Sequence, residues 1–387
     1  MSRCVRDGTA AADGAAIHAR QAMNSIVLLA GVCTRHDAIS NVVRMQERVL
    51  RRSGYDVTVI SHHSDFLDDD HVEATDPWIL QRNETYRSAD LVILHYGIQY
   101  GLFDSLLLSH SGRRVVHFHN VTPPELLDGR PRQQALKAVD QIVIAEQADA
   151  VWSDSTHNTG CLLEWTSVDP ARIRPMELSV SWEVCRPERS RRAASEQVEL
   201  LYVGRFSSAK SPSSIVDAVA RLPAAIREGV RLRMIGSSTH SDPSYIESLR
   251  RQIESAGVHA SIELDVPDSL LRLRYQESDI FVTASLHEGF CVPVIEALAA
   301  GCRVVATDAG ALRETVGPGG CVVPVGDEVA LSAAILDAVE RARSGSLFDS
   351  EEASALEQHL RRFSEEAGAE RLLDAVEREL DSLVRDD

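Results

Sequence analysis

The chain has 387 residues, 44% of them hydrophobic and 25% charged, with a formal net charge of −18. That length accommodates two or three domains, each able to bury a core. The acidic balance argues against sequence-independent binding to nucleic acid, which rests on clustered cations, and no apolar run is long enough to span a bilayer.

Residues 1–22 hold Ala, Gly, Asp and Arg without apolar periodicity and read as a mobile tail. They lack the apolar stretch of a secretory leader, which points to a cytoplasmic protein. A first strand over 25–30 runs into a loop, 31–41, whose His36, Asp37 and Asn41 are polar enough to recognise an acceptor. Turn and N-cap chemistry ahead of a helix over 42–52 explains the same residues. Arg44, Arg48, Arg51 and Arg52 share one side of that helix, as a solvated face or as a peripheral contact with an anionic membrane surface or acceptor. Strands follow over 55–60 and 91–96, and Asp68, Asp69 and Asp70 between them read as a solvated loop rather than a metal clamp.

Around the next strand the sequence runs Arg114-Val115-Val116-His117-Phe118-His119-Asn120. Alternation puts His117 and His119 on one face and Phe118 on the other, so one imidazole can face a cleft. After a strand over 150–153, the charged stretch 181–197 reads as a linker. A strand over 200–203 then ends in Gly204-Arg205-Phe206, with Lys210 a few residues on. Ligands of parallel sheets bind at the carboxyl ends of strands, and an Arg fork beside a Lys point charge suits a diphosphate. Only Lys137 and Lys210 are lysines in this arginine-rich chain, so a loop lysine calls for a reason. The seven cysteines are odd in number and lack metal-site spacing, as expected of reduced thiols.

Strands over 232–235 and 280–283 lead to the most informative stretch, His287-Glu288-Gly289-Phe290-Cys291-Val292-Pro293-Val294-Ile295-Glu296. Pro293 suits the first turn of a helix over 294–300, and Gly301 suits its left-handed stop. Glu288 then lies on the loop and Glu296 on the helix. The free N–H groups of Gly289, Phe290 and Cys291 would face an anion such as phosphate, which the helix dipole favours. Carboxylates beside such an anion must grip something else, and hydroxyls are the obvious partners. A sugar nucleotide offers both chemistries.

The segment from Ser285 to Gly301 resembles the paired-carboxylate motif of the family-four retaining glycosyltransferases, with Glu288 and Glu296 as its acids, and the strand and turn after it, through Gly310 and Glu314, look similar too. The resemblance implies the GT-B fold, an α/β arrangement of two Rossmann-like domains with parallel sheets facing across a cleft. It implies that Glu288 contacts the donor sugar, that Glu296 holds the ribose hydroxyls, and that Arg205 and Lys210 neutralise the departing diphosphate. Gly204, Gly289, Phe290, Cys291, Val292 and Val266 complete the implied donor site. His119 looks like the family's first-domain histidine, and Asn120 joins His36, Asp37 and Asn41 on the acceptor side. Relatives carry paired glycines where Asp37 and Ala38 stand here.

The implied organisation is a tail (1–22), an acceptor-side domain (23–180), a linker (181–197), a nucleotide-sugar domain (198–365) and a helix (366–387) returning to the first domain. The implied activity is metal-independent transfer of a sugar from a nucleoside diphosphate donor, such as a UDP- or GDP-sugar, to a small-molecule or glycan acceptor, without a further cofactor. The arginine-rich usage matches GC-rich bacteria, where such enzymes build envelope glycans or natural products. A nucleotide-sugar epimerase and a noncatalytic binding protein of the same fold are the alternatives.

Overall fold

The computed structural model describes residues 24–34, 37–66, 71–180, 195–239 and 241–386, with side chains to 383. Its backbone forms two wholly parallel sheets. The first contains β1 (Ser25–Ala30), β2 (Asp56–Ser61), β3 (His71–Glu73), β4 (Leu91–Tyr96), β5 (Arg113–Phe118), β6 (Ala150–Ser153) and β7 (Ile173–Pro175), in the order β3-β2-β1-β4-β5-β6-β7. The second contains β8 (Val198–Val203), β9 (Val230–Gly236), β10 (Ala260–Leu264), β11 (Ile280–Thr283), β12 (Arg303–Thr307) and β13 (Gly320–Val323), in the order β10-β9-β8-β11-β12-β13. Both sheets thus reverse direction beside their own first strand. That reversal opens a crevice at the strands' carboxyl ends, where open α/β sheets bind ligands. Two Rossmann-like sheets are what the GT-B expectation requires.

The central strands are fully buried runs of aliphatic residues, as in Leu91–Tyr96 and Arg303–Thr307, because helices cover both faces of each sheet. The strands that the sequence reading did not single out are β3, β7, β10 and β13, and these are the four sheet edges. Edge strands pack against fewer neighbours, so their sequences need no apolar run. The first helix also begins earlier than expected, at Ala38, because the Asp37 carboxylate caps it by accepting from the backbone N–H and the hydroxyl of Ser40. Residues 1–22, His36, Asp68, Asp69, Asp70 and most of the linker, 181–194, lie outside the described residues.

The last helix, Glu365–Asp386, follows the second sheet in sequence but packs on the first. Leu372, Ala375, Val376 and Leu380 join Ile26, Leu28, Val57 and Trp152 in one buried cluster. Phe363 O accepts from Val180 N at 2.9 Å just before the helix begins, which ties the incoming and outgoing crossings together. Farther along, Glu379 is only 1% exposed and its carboxylate meets Arg113 at 2.8 Å and Arg174 at 3.6 Å. Removing one member of a buried ion pair leaves the other unbalanced. Glu379→Ala is therefore expected to lower unfolding free energy by about 2–3 kcal/mol, less than for a fully buried pair because both arginines reach solvent. Urea denaturation measures this, and a wild-type midpoint would contradict the anchoring role.

Candidate active site

Two loops of the second sheet build the centre of the site. Beyond β8, Tyr202 donates its hydroxyl to Arg205 O at 2.7 Å, fixing the turn through Gly204. The Arg205 side chain is exposed, and the chain then tightens through Ser207 to Ser211, where Ser211 adopts a φ of 44° ahead of the helix Pro212–Ala220. Beyond β11, Leu286 N donates to Ala209 O at 2.8 Å and staples the second loop to the first. That staple brings Lys210 Nζ to 2.7 Å from Glu288 Oε2. Ser285 donates its hydroxyl to Glu288 Oε1 at 2.7 Å, while Thr307 donates to Ser285 O at 2.6 Å.

Glu288 is 8% exposed, so its charge depends on these partners. Burial by itself pushes the carboxyl up, but the Lys210 ammonium, the hydrogen bonds from Lys210 and Ser285, and nearby Arg205 outweigh it and hold Glu288 below its ordinary value of 4.5. The backbone at Glu288 is equally constrained. Ala311 N donates to its carbonyl at 2.9 Å, and a Cβ on Gly310, whose φ is 61°, would lie 2.2 Å from that oxygen. Only glycine fits there.

Helix Val292–Ala299 starts directly after this loop, with Pro293 in its first turn and Gly301 beyond its end at a φ of 88°. Among the described residues the N–H groups of Gly289, Phe290 and Cys291 donate no hydrogen bond, as expected of a helix terminus open to an anion. Phe290 packs edge-on against Phe363 at 5.5 Å, and Cys291 holds a φ of 74°, unusual for a residue with a Cβ. Glu296 lies on the helix about one turn inward, half-buried, and accepts from the Tyr275 hydroxyl at 2.8 Å. Burial raises its pKa, with the Tyr275 hydrogen bond opposing the rise. Val266, half-buried beside the β10 end, packs on the core of this domain.

The first domain contributes a cluster at the ends of β4, β5 and β6. The alternation expected from the sequence holds: the His117 and His119 rings lie on one face, 4.2 Å apart. Asp154 accepts from His117 Nε2 at 2.8 Å and from His119 Nδ1 at 2.9 Å. An ionised carboxylate only accepts, so both rings carry their proton toward it. His95 Nδ1 then donates to His119 Nε2 at 3.0 Å, and Gln46 Nε2 donates to His117 Nδ1 at 3.1 Å. The three imidazoles offer ligand atoms within 4.8 Å of one another, a spacing that could hold a metal ion. The hydrogen bonds nevertheless account for every ring nitrogen except His95 Nε2, which is buried without a partner. Burial, reinforced by His119, pushes His117 down to about 4, so its ring is neutral at pH 7. His95, Asp154 and Gln46 escaped the sequence reading because His95 sits inside an apolar strand and the other two lie far away in sequence. The His119 side chain is nearly enclosed, with both ring nitrogens engaged.

The other acceptor-side candidates divide. Asp37 is committed to capping its helix, and Asn120, at a φ of 73°, donates to Asn158 Oδ1 at 2.7 Å while its own oxygen accepts from Val121 N. Both side chains thus make structural bonds within their own domain. Asn41 is exposed in the first turn of its helix. On the same helix, Glu47 binds Arg44 and Arg51, so the arginine face is partly neutralised from within.

The two domains meet across this site. A Cβ on Gly289 would lie 2.9 Å from Asn120 Cβ and 3.0 Å from His119 O, so glycine permits the contact. Ser155 donates to Gly289 O at 2.8 Å. Glu314, from the helix Leu312–Val316, accepts from Thr156 N at 3.1 Å and His157 N at 3.0 Å, at the positive end of the first-domain helix Thr156–Trp165. The His157 and His287 rings touch beside this clasp, 5.2 Å apart, and burial, with His157 next, lowers His287 to about 4.

Lys210→Met is expected to leave Glu288 buried without its main counter-charge and to cost about 3 kcal/mol at pH 7. In the native chain the depressed Glu288 pKa adds stability that is complete above about 4.5 and fades as pH falls through the lower folded value. The variant's deficit should therefore shrink in acid, as Glu288 takes up a proton. Urea melts at pH 7 and pH 4 check this; a deficit independent of pH would contradict the pairing. Glu314→Ala is expected to open the cleft, seen as a larger radius of gyration in X-ray scattering, and an unchanged scattering curve would contradict the clasp.

Residues 187–346 match the family model described as "Glycosyl transferases group 1". D-inositol 3-phosphate glycosyltransferase of Mycobacterium ulcerans is 28% identical over 231 residues, which cover 57% of this chain and 49% of that protein. The same-named protein of Mycobacterium tuberculosis is 29% identical over 203 residues, covering 50% of this chain and 41% of that protein. The chain thus spans about half the length, or less, of the curated relatives it matches. Among solved structures, sucrose-phosphate synthase from Thermosynechococcus elongatus superposes with a TM-score of 0.73 at 20% identity, over 93% of this chain and 100% of that one. Anabaena HepE in complex with UDP-glucose superposes with a TM-score of 0.68 at 15% identity, over 92% of this chain and 99% of that one. At such identities the structural likeness is one of fold. Its second domain thus matches the group 1 glycosyltransferase model, and the chain as a whole shares the GT-B fold of these structures.

Proposed function

We propose that this chain transfers a glycosyl unit, of hexosyl type, from a nucleoside diphosphate sugar to an acceptor with retention of anomeric configuration and without a metal. The observation that carries the reading is the buried, ionised Glu288 held against Lys210 beside the open N–H groups of Gly289, Phe290 and Cys291. Anion-binding and hydroxyl-binding groups alternate there over a few residues, as a diphosphate flanked by two polyhydroxylated rings demands.

In this reading Arg205, the remaining donors of Lys210 and the helix terminus take the growing charge of the leaving diphosphate, which is worth most in a site that excludes water. Glu288 holds sugar hydroxyls and stabilises positive charge developing at the anomeric carbon, and Glu296 grips the ribose. His119, oriented by Asp154 and His95, forms the opposite wall. Closure of the domains through Glu314 and Ser155 would exclude water from the reacting bond. The acceptor is a small molecule or glycan, and the relatives' name makes D-inositol 3-phosphate the first one to try.

A thermal-shift panel of UDP, GDP, ADP and dTDP tests the donor half, since a ligand that binds only the native state raises its melting temperature. At least one nucleotide should stabilise the protein, and stabilisation by none of them would contradict the proposal. With donor and acceptor in hand, Glu288→Ala should lower turnover roughly a hundredfold with little change in nucleotide affinity, whereas Arg205→Ala and Lys210→Ala damage both. Wild-type turnover in Glu288→Ala would refute its role.

A further inference from the structure

We infer that Tyr275 is a positioning residue for nucleotide recognition: its hydroxyl fixes the Glu296 carboxylate so that the free oxygen meets a vicinal diol of the ribose. This rests on the glycosyltransferase reading above, and it adds a residue from a different helix to the donor site.

Tyr275 lies in the last turn of the helix Asp268–Glu277 and is fully buried. Its ring stacks on Phe281 of β11, 6.2 Å away with 28° between planes, so the core sets where the hydroxyl points. That hydroxyl donates to Glu296 Oε2 at 2.8 Å. Glu296 Oε1, by contrast, accepts no hydrogen bond among the described residues. A glutamate on a helix is otherwise free to rotate about three side-chain bonds. One bond from a rigid donor removes most of that freedom before the ligand arrives, which is how a supporting group improves recognition.

The chemistry of the donor matters as well. Lys or Arg at this point would cancel the charge of Glu296 and compete with ligand hydroxyls. A neutral phenol orients the carboxylate and leaves its charge available. Burial raises the Glu296 pKa, and the Tyr275 hydrogen bond pulls it back toward the ionised form. Asp268 and Arg272, on the same helix as Tyr275, act on Glu296 in opposite senses, Asp268 raising and Arg272 lowering that pKa.

The test is calorimetric titration of the full chain with UDP, GDP, ADP and dTDP, and with the 2′,3′-dideoxy analogues of the three ribonucleotides, which lack the diol. Tyr275→Phe keeps the packed ring and removes only the hydroxyl. For the ribonucleotide that binds, Tyr275→Phe should weaken affinity roughly tenfold, the scale of a hydrogen bond to a charged group. Binding of the dideoxy form should be unchanged. Adding Tyr275→Phe to Glu296→Gln should produce little further loss, because the two act as one unit. A merely structural tyrosine would weaken both nucleotides equally or neither, and either result overturns the inference. Should Tyr275→Phe fold poorly, Glu296→Gln alone decides: equal loss for both nucleotides would likewise overturn it. A wild-type chain that binds none of UDP, GDP, ADP and dTDP would bring down the glycosyltransferase reading, and this assignment with it, whereas one that binds only dTDP, which lacks the diol, would overturn this assignment alone.

Discussion

The site depends on one hydrogen bond between loops that are distant in sequence. Leu286 N to Ala209 O pins the segment after β11 to the segment after β8, and only then can the Lys210 ammonium reach Glu288. A carboxylate so buried would otherwise surrender its charge. The lysine thus keeps Glu288 ionised, and Glu288 in turn holds the lysine beside the open helix terminus. The groups proposed to bind anion and hydroxyls are in this way held together at one topological switch point.

The second constraint is where the domains touch. Gly289 is small enough for the His119–Asn120 backbone to approach, and Ser155 reaches across to its carbonyl. Glu314 adds charge to the contact by occupying the N-terminus of a first-domain helix. The residues that join the domains therefore adjoin those proposed to bind donor. The terminal helix is locked to the first sheet through the pairing of Glu379 with Arg113.

Much of this was legible in the sequence, for physical reasons. Central parallel strands must be apolar on both faces, so β1, β4, β5, β8, β11 and β12 stand out; the four edge strands, released from that demand, do not. Glu288, Glu296, Arg205 and Lys210 were visible because loop and helix-start chemistry is written locally. Tyr275, His95 and Asp154 were not, because each does its work through a partner brought close only by the fold. Asp37 takes up the N-cap role that its position also offered, and Asn120 sits in a left-handed turn that the sequence does not announce. Glu314 was noticed as part of a turn, while its contact with a helix in the other domain could not be read from spacing alone.

The most direct test of the central claim is a crystal structure with the nucleoside diphosphate selected by thermal shift. The diphosphate is expected against Arg205, Lys210 and the N–H groups of Gly289, Phe290 and Cys291, with the ribose hydroxyls on Glu296. A nucleotide bound elsewhere, with Lys210 and Glu288 untouched by it, would contradict the account.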